Sequence, residues 1–321
     1  MENQSKNVDY IQLLKDAWKI TWENKFLWWF GFLITLGGGG MSGFNFSGNE
    51  EEVSPEVIEN INYYWSMYRE WIIAGIVILF LIILAFYFLS IMGRGGLIVS
   101  LVKIGKSEEV NFSSGFKEGR SFFWKLFLLN LVFGGVLLFI VAVLSFPIAR
   151  LVYLEAYGAA TLLGLVALPI IISVFILAAF LKIYSQIYLV GNKVQVFDSI
   201  RLAYSIFKGN IKGSILMGIT LMIVGIIFGF ALLMAIFVLT ILFIIIGLLC
   251  AFTVGMAGAI SVAILGVVAL IIFAIVWRSV YTVFIQAVWI LFFNKIAISP
   301  NEEKEKLEEK IEEKVPELGK A

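Results

Sequence analysis

Long uncharged runs, separated by short polar segments, organise this chain from beginning to end. A helix needs about 20 apolar residues to cross a hydrocarbon layer about 30 Å thick. Residues 71–93 carry no charge between Glu70 and Arg94 and predict one span. Residues 122–147 predict a second, with Lys125 near its start, and 159–181 a third, in which Pro169 predicts a kink unless neighbouring helices satisfy the freed carbonyl. A weaker span covers 26–46. Its strongly apolar part ends at Leu36, and four glycines follow. That pattern predicts a helix fraying at the outer interface, with a re-entrant segment as the alternative.

Residues 213–277 hold no charge at all, and after Arg278 the apolar character continues to Phe293. Two long helices turning near residues 253–258 fit this stretch, and three short spans fit it by length alone. Lysine and arginine collect at cytoplasmic ends of membrane spans. With six spans, 22 of the 24 basic residues fall on one side, leaving only Arg69 and Arg150 opposite. Seven spans would export the lysine-bearing tail. The expectation is therefore an all-α integral membrane protein with six transmembrane helices in the cell membrane, both termini cytoplasmic.

A longer period underlies the spans. A short helical segment precedes each odd-numbered one, and setting Ala17, Gly115 and Ala203 in register also brings Asn24 onto Asn210. In the third segment Val196, Ile200, Ala203 and Phe207 share one face, with Asp198, Arg201 and Lys208 turned away. Each even-numbered span ends at one basic residue, Arg94, Lys182 or Arg278, followed by a mostly apolar continuation. The unit is an interfacial amphipathic helix plus a transmembrane hairpin, used three times. Because each copy enters and leaves on one side, the repeats must run parallel. They occupy about 9–106, 107–193 and 194–298, and residues 299–321 form a charged cytoplasmic helical tail with Ser299, Pro300 and Glu302 as its start.

Composition narrows the chemistry. Of the 321 residues 61% are apolar and 15% charged, against about half and a quarter in soluble domains. Histidine is absent and Cys250 is the one cysteine, which excludes disulfides and zinc sites built on Cys and His. A formal charge of +1 gives no overall attraction to nucleic acid. No apolar stretch opens the chain, so the first span is expected to serve as its own insertion signal. No nucleophile–base pair or phosphate-cradling loop is present, and neither an enzyme activity nor a cofactor is expected.

The helical segment leading into Leu27-Trp28-Trp29-Phe30-Gly31, followed by Gly93-Arg94-Gly95-Gly96-Leu97-Ile98, resembles the glycerophosphodiester phosphodiesterase membrane-domain superfamily and its uncharacterised prokaryotic relatives. The resemblance is one of pattern across residues 9–294. It implies a stand-alone membrane domain without that family's separate catalytic domain, so no activity carries over.

Membrane-embedded charge is costly and usually put to use. Arg278, Thr282 and Gln286 form a polar stripe at i, i+4 and i+8, suited to a lipid phosphate or a small vestibule. The plainer reading is that Arg278 snorkels to headgroups, as Arg94 and Lys182 do at equivalent places. If the repeats close up, those three residues ring the axis and favour anionic lipid headgroups or an acidic partner segment. Asn130 and Thr220 are lone polar residues suited to interhelical hydrogen bonds, and Gly225 with Gly229 matches GxxxG. Outer-loop acids at Glu50, Glu51, Glu52, Glu56 and Glu59 read as a solvated loop with a helix starting at Pro55, and a cation site as the sharper alternative. The reading is a non-catalytic protein binding lipid headgroups, or a protein partner through the tail. The alternatives are a small-solute or lipid transporter and a membrane subunit of a larger complex.

Overall fold

A computed structural model of the chain describes residues 9–39 and 55–297, and every regular element among them is helical. The order is α1 (Tyr10–Glu23), α2 (Leu27–Ile34) running into a π turn (Thr35–Gly39), α3 (Pro55–Gly105), α4 (Phe112–Ser121), α5 (Phe123–Tyr153), α6 (Tyr157–Gly191), α7 (Val196–Gly209), α8 (Ile211–Thr253) and α9 (Met256–Ile296). Five of these, in α3, α5, α6, α8 and α9, are long and apolar enough to cross a membrane. This is the build of a multi-pass membrane protein. The uncharged run from residue 213 forms two helices, turning at Val254 and Gly255, where Gly255 has φ +89°.

The sixth expected span is not among the long helices. Leu27–Gly38 is a shorter apolar helix, and the rest of the 26–46 segment lies outside the described residues. Its helical geometry is lost at Gly37 and at Gly38, which has φ +103°, a conformation that glycine adopts without steric cost. The kink predicted at Pro169 leaves no break: α6 is one helix through that residue. Helix α3 instead bends at Tyr68, where φ is −119° and ψ 16°.

Burial is concentrated at one end of the helices, with only small residues such as Ala160 and Ala167 of α6 and Gly266 of α9 buried elsewhere. The most apolar stretch of each long helix is at most 17% buried. The core instead gathers residues 90–101 of α3, 180–190 of α6 and 279–293 of α9, with the opening turns of α5 and α8 and the inner faces of α1, α2, α4 and α7. Helix α8, with 43 residues, is about 64 Å long, twice the hydrocarbon thickness, so only part of it fits within a bilayer. From Trp71 to Arg94, Tyr157 to Lys182 and Met256 to Arg278 the helices rise about 33–38 Å at 1.5 Å per residue. The basic residues thus mark one bilayer's depth from the far ends, and the core is packed around and beyond them.

Each short helix turns its small or apolar residues inward and its cations outward. Helix α1 buries Leu13, Ala17 and Thr21 and exposes Lys15 and Lys19. Helix α4 buries Gly115 and Gly119, with Lys117 and Arg120 exposed. Helix α7 buries Val196 and Ala203 as expected, but Ser199 and Ile206 complete the face while Ile200 and Phe207 are half-buried. Packing turns the stripe, because Phe207 packs in a tilted arrangement against Phe180 of α6, with ring centroids 5.4 Å apart. Two of these helices have side-chain caps for the otherwise unpaired first-turn amides. Asp9 accepts from the Gln12 backbone at 3.0 Å, and Asn111 forms a reciprocal capping box with Ser114.

Glycines set the spacing of this end. A Cβ on Gly119 would fall on the backbone nitrogen of Gly96, and one on Gly95 would come 2.8 Å from the Gly119 carbonyl oxygen. Phe30 of α2 fills the notch beside this crossing, fully buried against Gly96 and Gly115, with Phe112 at 4.8 Å. On its other side α2 presses Gly31 onto the Ser279 carbonyl of α9. Helix α2 therefore stands as a wedge between α3 and α9.

Candidate functional site

The candidate residues lie along the boundary where the long helices leave the apolar region. Helices α3 and α6 run in the same direction there. Val102, eight residues beyond Arg94, lies 3.6 Å from a Cβ placed on Gly191, nine residues beyond Lys182. That register sets Arg94 and Lys182 level, and they are close enough for their charges to repel. Both are half-buried, and Tyr87 lies beside Arg94 on the apolar side. Among the described residues neither cation has a hydrogen bond or an ion pair. By contrast, Lys103 is paired with Glu118, and Lys125 donates to the Val194 carbonyl at 3.5 Å.

Arg278 does not join them. It is exposed, with its guanidinium carbon 5.9 Å from the Tyr281 ring centre. Helix α9 meets α6 through Trp289, whose ring lies 5.8 Å from Phe180 and 6.0 Å from Tyr184. Arg278 precedes Trp289 by eleven residues, about 16 Å along the helix. The wedge of α2 separates it from α3. Within the predicted stripe, Thr282 donates to its own helix at the Arg278 carbonyl, 2.8 Å away, and the Gln286 amide nitrogen is buried without a partner.

Several buried polar residues escaped the reading of the sequence, Ser100, Ser185 and Gln186 among them. Gln186, one turn beyond Lys182 on the same face of α6, is 2% exposed, and its amide nitrogen has no partner. The i, i+4 spacing was its signal. Asn130 lies one turn along α5 from Leu126, which packs on Gly95, and its carbonyl oxygen is buried and unpaired. Thr220 makes no bond across helices; it donates to the Leu216 carbonyl at 2.9 Å. Of the Gly225 and Gly229 pair, Gly225 meets the Tyr281 hydroxyl while Gly229 faces open space.

Around these residues the charge is one-sided. Every described lysine and arginine except Arg69 and Arg150 belongs to the core end, sixteen cations against seven acids. No acid occurs on α3 between Glu70 and the helix end, none on α6, and none on α2, α5, α8 or α9. No group of three metal-ligating side chains occurs among the described residues, and the loop acids Glu50, Glu51 and Glu52 lie outside them. The tail from Ser299 also lies outside. A hollow at the Tyr68 bend is lined by Ser66, Met67, Arg69, Glu70, Trp71 and Ile73, all on α3, and sits at the opposite end from Arg94. On α1, burial beside Phe292 pushes the Tyr10 hydroxyl above its ordinary pKa. No family model matches the chain, and neither a curated protein nor a solved structure matches it.

Proposed function

We propose that this is a non-catalytic multi-pass membrane protein that gathers anionic lipid headgroups around its packed end. The observation that carries the reading is the excess of sixteen cations over seven acids at that end, six of them on outward faces of α1, α4 and α7. Each lysine or arginine near an anionic surface is worth about 1 kcal/mol of attraction. The positive-inside tendency assigns this end to the cytoplasmic leaflet, with both termini on that side of the cell membrane. Within this reading, short helix, apolar helix and long helix form one unit used three times in parallel, with α2 as its abbreviated member. The element order supports it, as does the burial of Ala17, Gly115 and Ala203 at corresponding places. The pattern resemblance to phosphodiesterase-associated membrane domains fits the same non-catalytic role.

The test is lipid retention. The full chain, reconstituted in mixed phosphatidylcholine and phosphatidylglycerol and then extracted in mild detergent, should carry phosphatidylglycerol enriched over the starting mixture. Native mass spectrometry reads the ratio. Equal retention of both lipids would overturn the proposal.

A further inference from the structure

Arg94 and Lys182 are the two cations whose placement the topology rule does not explain. Residues that merely mark a membrane boundary gain by pointing apart into water or headgroups. These two stand at one level on adjacent helices, half-buried and near enough for their charges to repel, with no acid on either helix nearby. The acids on neighbouring elements do not serve them: Glu118 of α4 is held by Lys103, and Asp198 of α7 is exposed. Bringing two unpaired cations together out of water is strongly unfavourable unless a counter-charge arrives.

The donors present suit one kind of counter-charge. Arginine offers a planar fork matched to two oxygens of a phosphate, and lysine adds a compact point charge. Gln186 contributes an amide nitrogen that is buried and unpartnered. Helical side chains lean toward the helix N terminus, so the Gln186 amide lies over the turn that bears Lys182. For the same reason Arg94 leans back along α3 toward Tyr87, on the apolar side.

We propose that Arg94, Lys182 and Gln186 form a binding site for one phosphate group, entered from the bilayer and filled by the phosphate of an anionic lipid. The site rests on the headgroup reading above but is narrower: it excludes Arg278, which the α2 wedge sets apart. An exposed phosphate monoester such as phosphatidic acid is the best match, because it brings two charges to two cations.

The experiment compares four forms of the full chain in phosphatidylcholine nanodiscs doped with phosphatidic acid: wild type, Arg94→Gln with Lys182→Gln, Arg94→Lys with Lys182→Arg, and Arg278→Gln. Retention of phosphatidic acid is read by native mass spectrometry, with and without excess inorganic phosphate. The doubly neutralised form should lose about a hundredfold in affinity, about tenfold for each of the two charge-assisted contacts removed. The charge-preserving exchange should keep most of it, which separates charge from folding, and Arg278→Gln should stay within about twofold. Gln186→Leu should weaken retention by a smaller factor. Displacement by inorganic phosphate would assign the site to free phosphate and overturn the lipid assignment. Equal losses in the doubly neutralised and Arg278→Gln forms would overturn the two-cation site while leaving phosphatidylglycerol enrichment, and with it the broader reading, intact. Undiminished retention in the doubly neutralised form would overturn the site outright.

Discussion

Two glycine pairs with the same spacing differ in what surrounds them. Gly115 and Gly119 of α4 lie where two helices cross backbone to backbone, so that any side chain on Gly119 would meet the Gly96 nitrogen. Gly225 and Gly229 lie on α8, where one touches a tyrosine hydroxyl and the other faces nothing within 4 Å. Small residues let backbones approach only where a partner helix is present to approach. The contrast extends to the two ends of the molecule. At the packed end, dispersion contacts and buried hydrogen bonds decide geometry. Along the apolar hairpins, surface suited to lipid decides only that a helix forms and stays in the membrane.

The sharpest challenge to that contrast is Phe30→Ala. Phe30 is fully buried at the crossing of α2, α3 and α4, and its removal leaves a cavity worth about 3–5 kcal/mol of stability. Equilibrium unfolding of the detergent-solubilised chain measures it, and a loss below about 1 kcal/mol would remove the crossing from the core. Next is Gly119→Ala, which should cost about 1–3 kcal/mol by forcing the helices apart. Gly229→Ala, at open space, should stay within about 0.5 kcal/mol. Matching losses for the two alanines would erase the distinction between the ends. A smaller loss than that of Gly119→Ala concerns Tyr184, whose hydroxyl donates to Ser214 at 2.8 Å. Ser214 keeps its own bond to the Asn210 carbonyl at 2.9 Å, so Tyr184→Phe should cost only about 1 kcal/mol.

The candidate site shows where reading along the chain succeeds and where it stops. Arg94, Lys182 and Arg278 stand out because each interrupts or closes an apolar run. Nothing local distinguishes the pair that meets from the residue that does not. The separation follows from α2 lying between α3 and α9, and α2 lies there because Gly31 and Gly96 allow it to approach both. Gln186 carries the i+4 spacing from Lys182 in plain view, but its burial depends on α6 packing against neighbours remote in sequence.

Hydropathy, cap residues and turn glycines are properties of short stretches, and they suffice for the apolar helices, the starts at Asp9 and Asn111, and the reversal at Gly255. They also suffice to sort the cations to one side, since the bilayer acts on each span separately. The placement of the core at one end and the meeting of Arg94 with Lys182 were decided by tertiary structure alone. Each depends on how closely helices far apart in sequence can cross, and that distance is set jointly by residues on both partners.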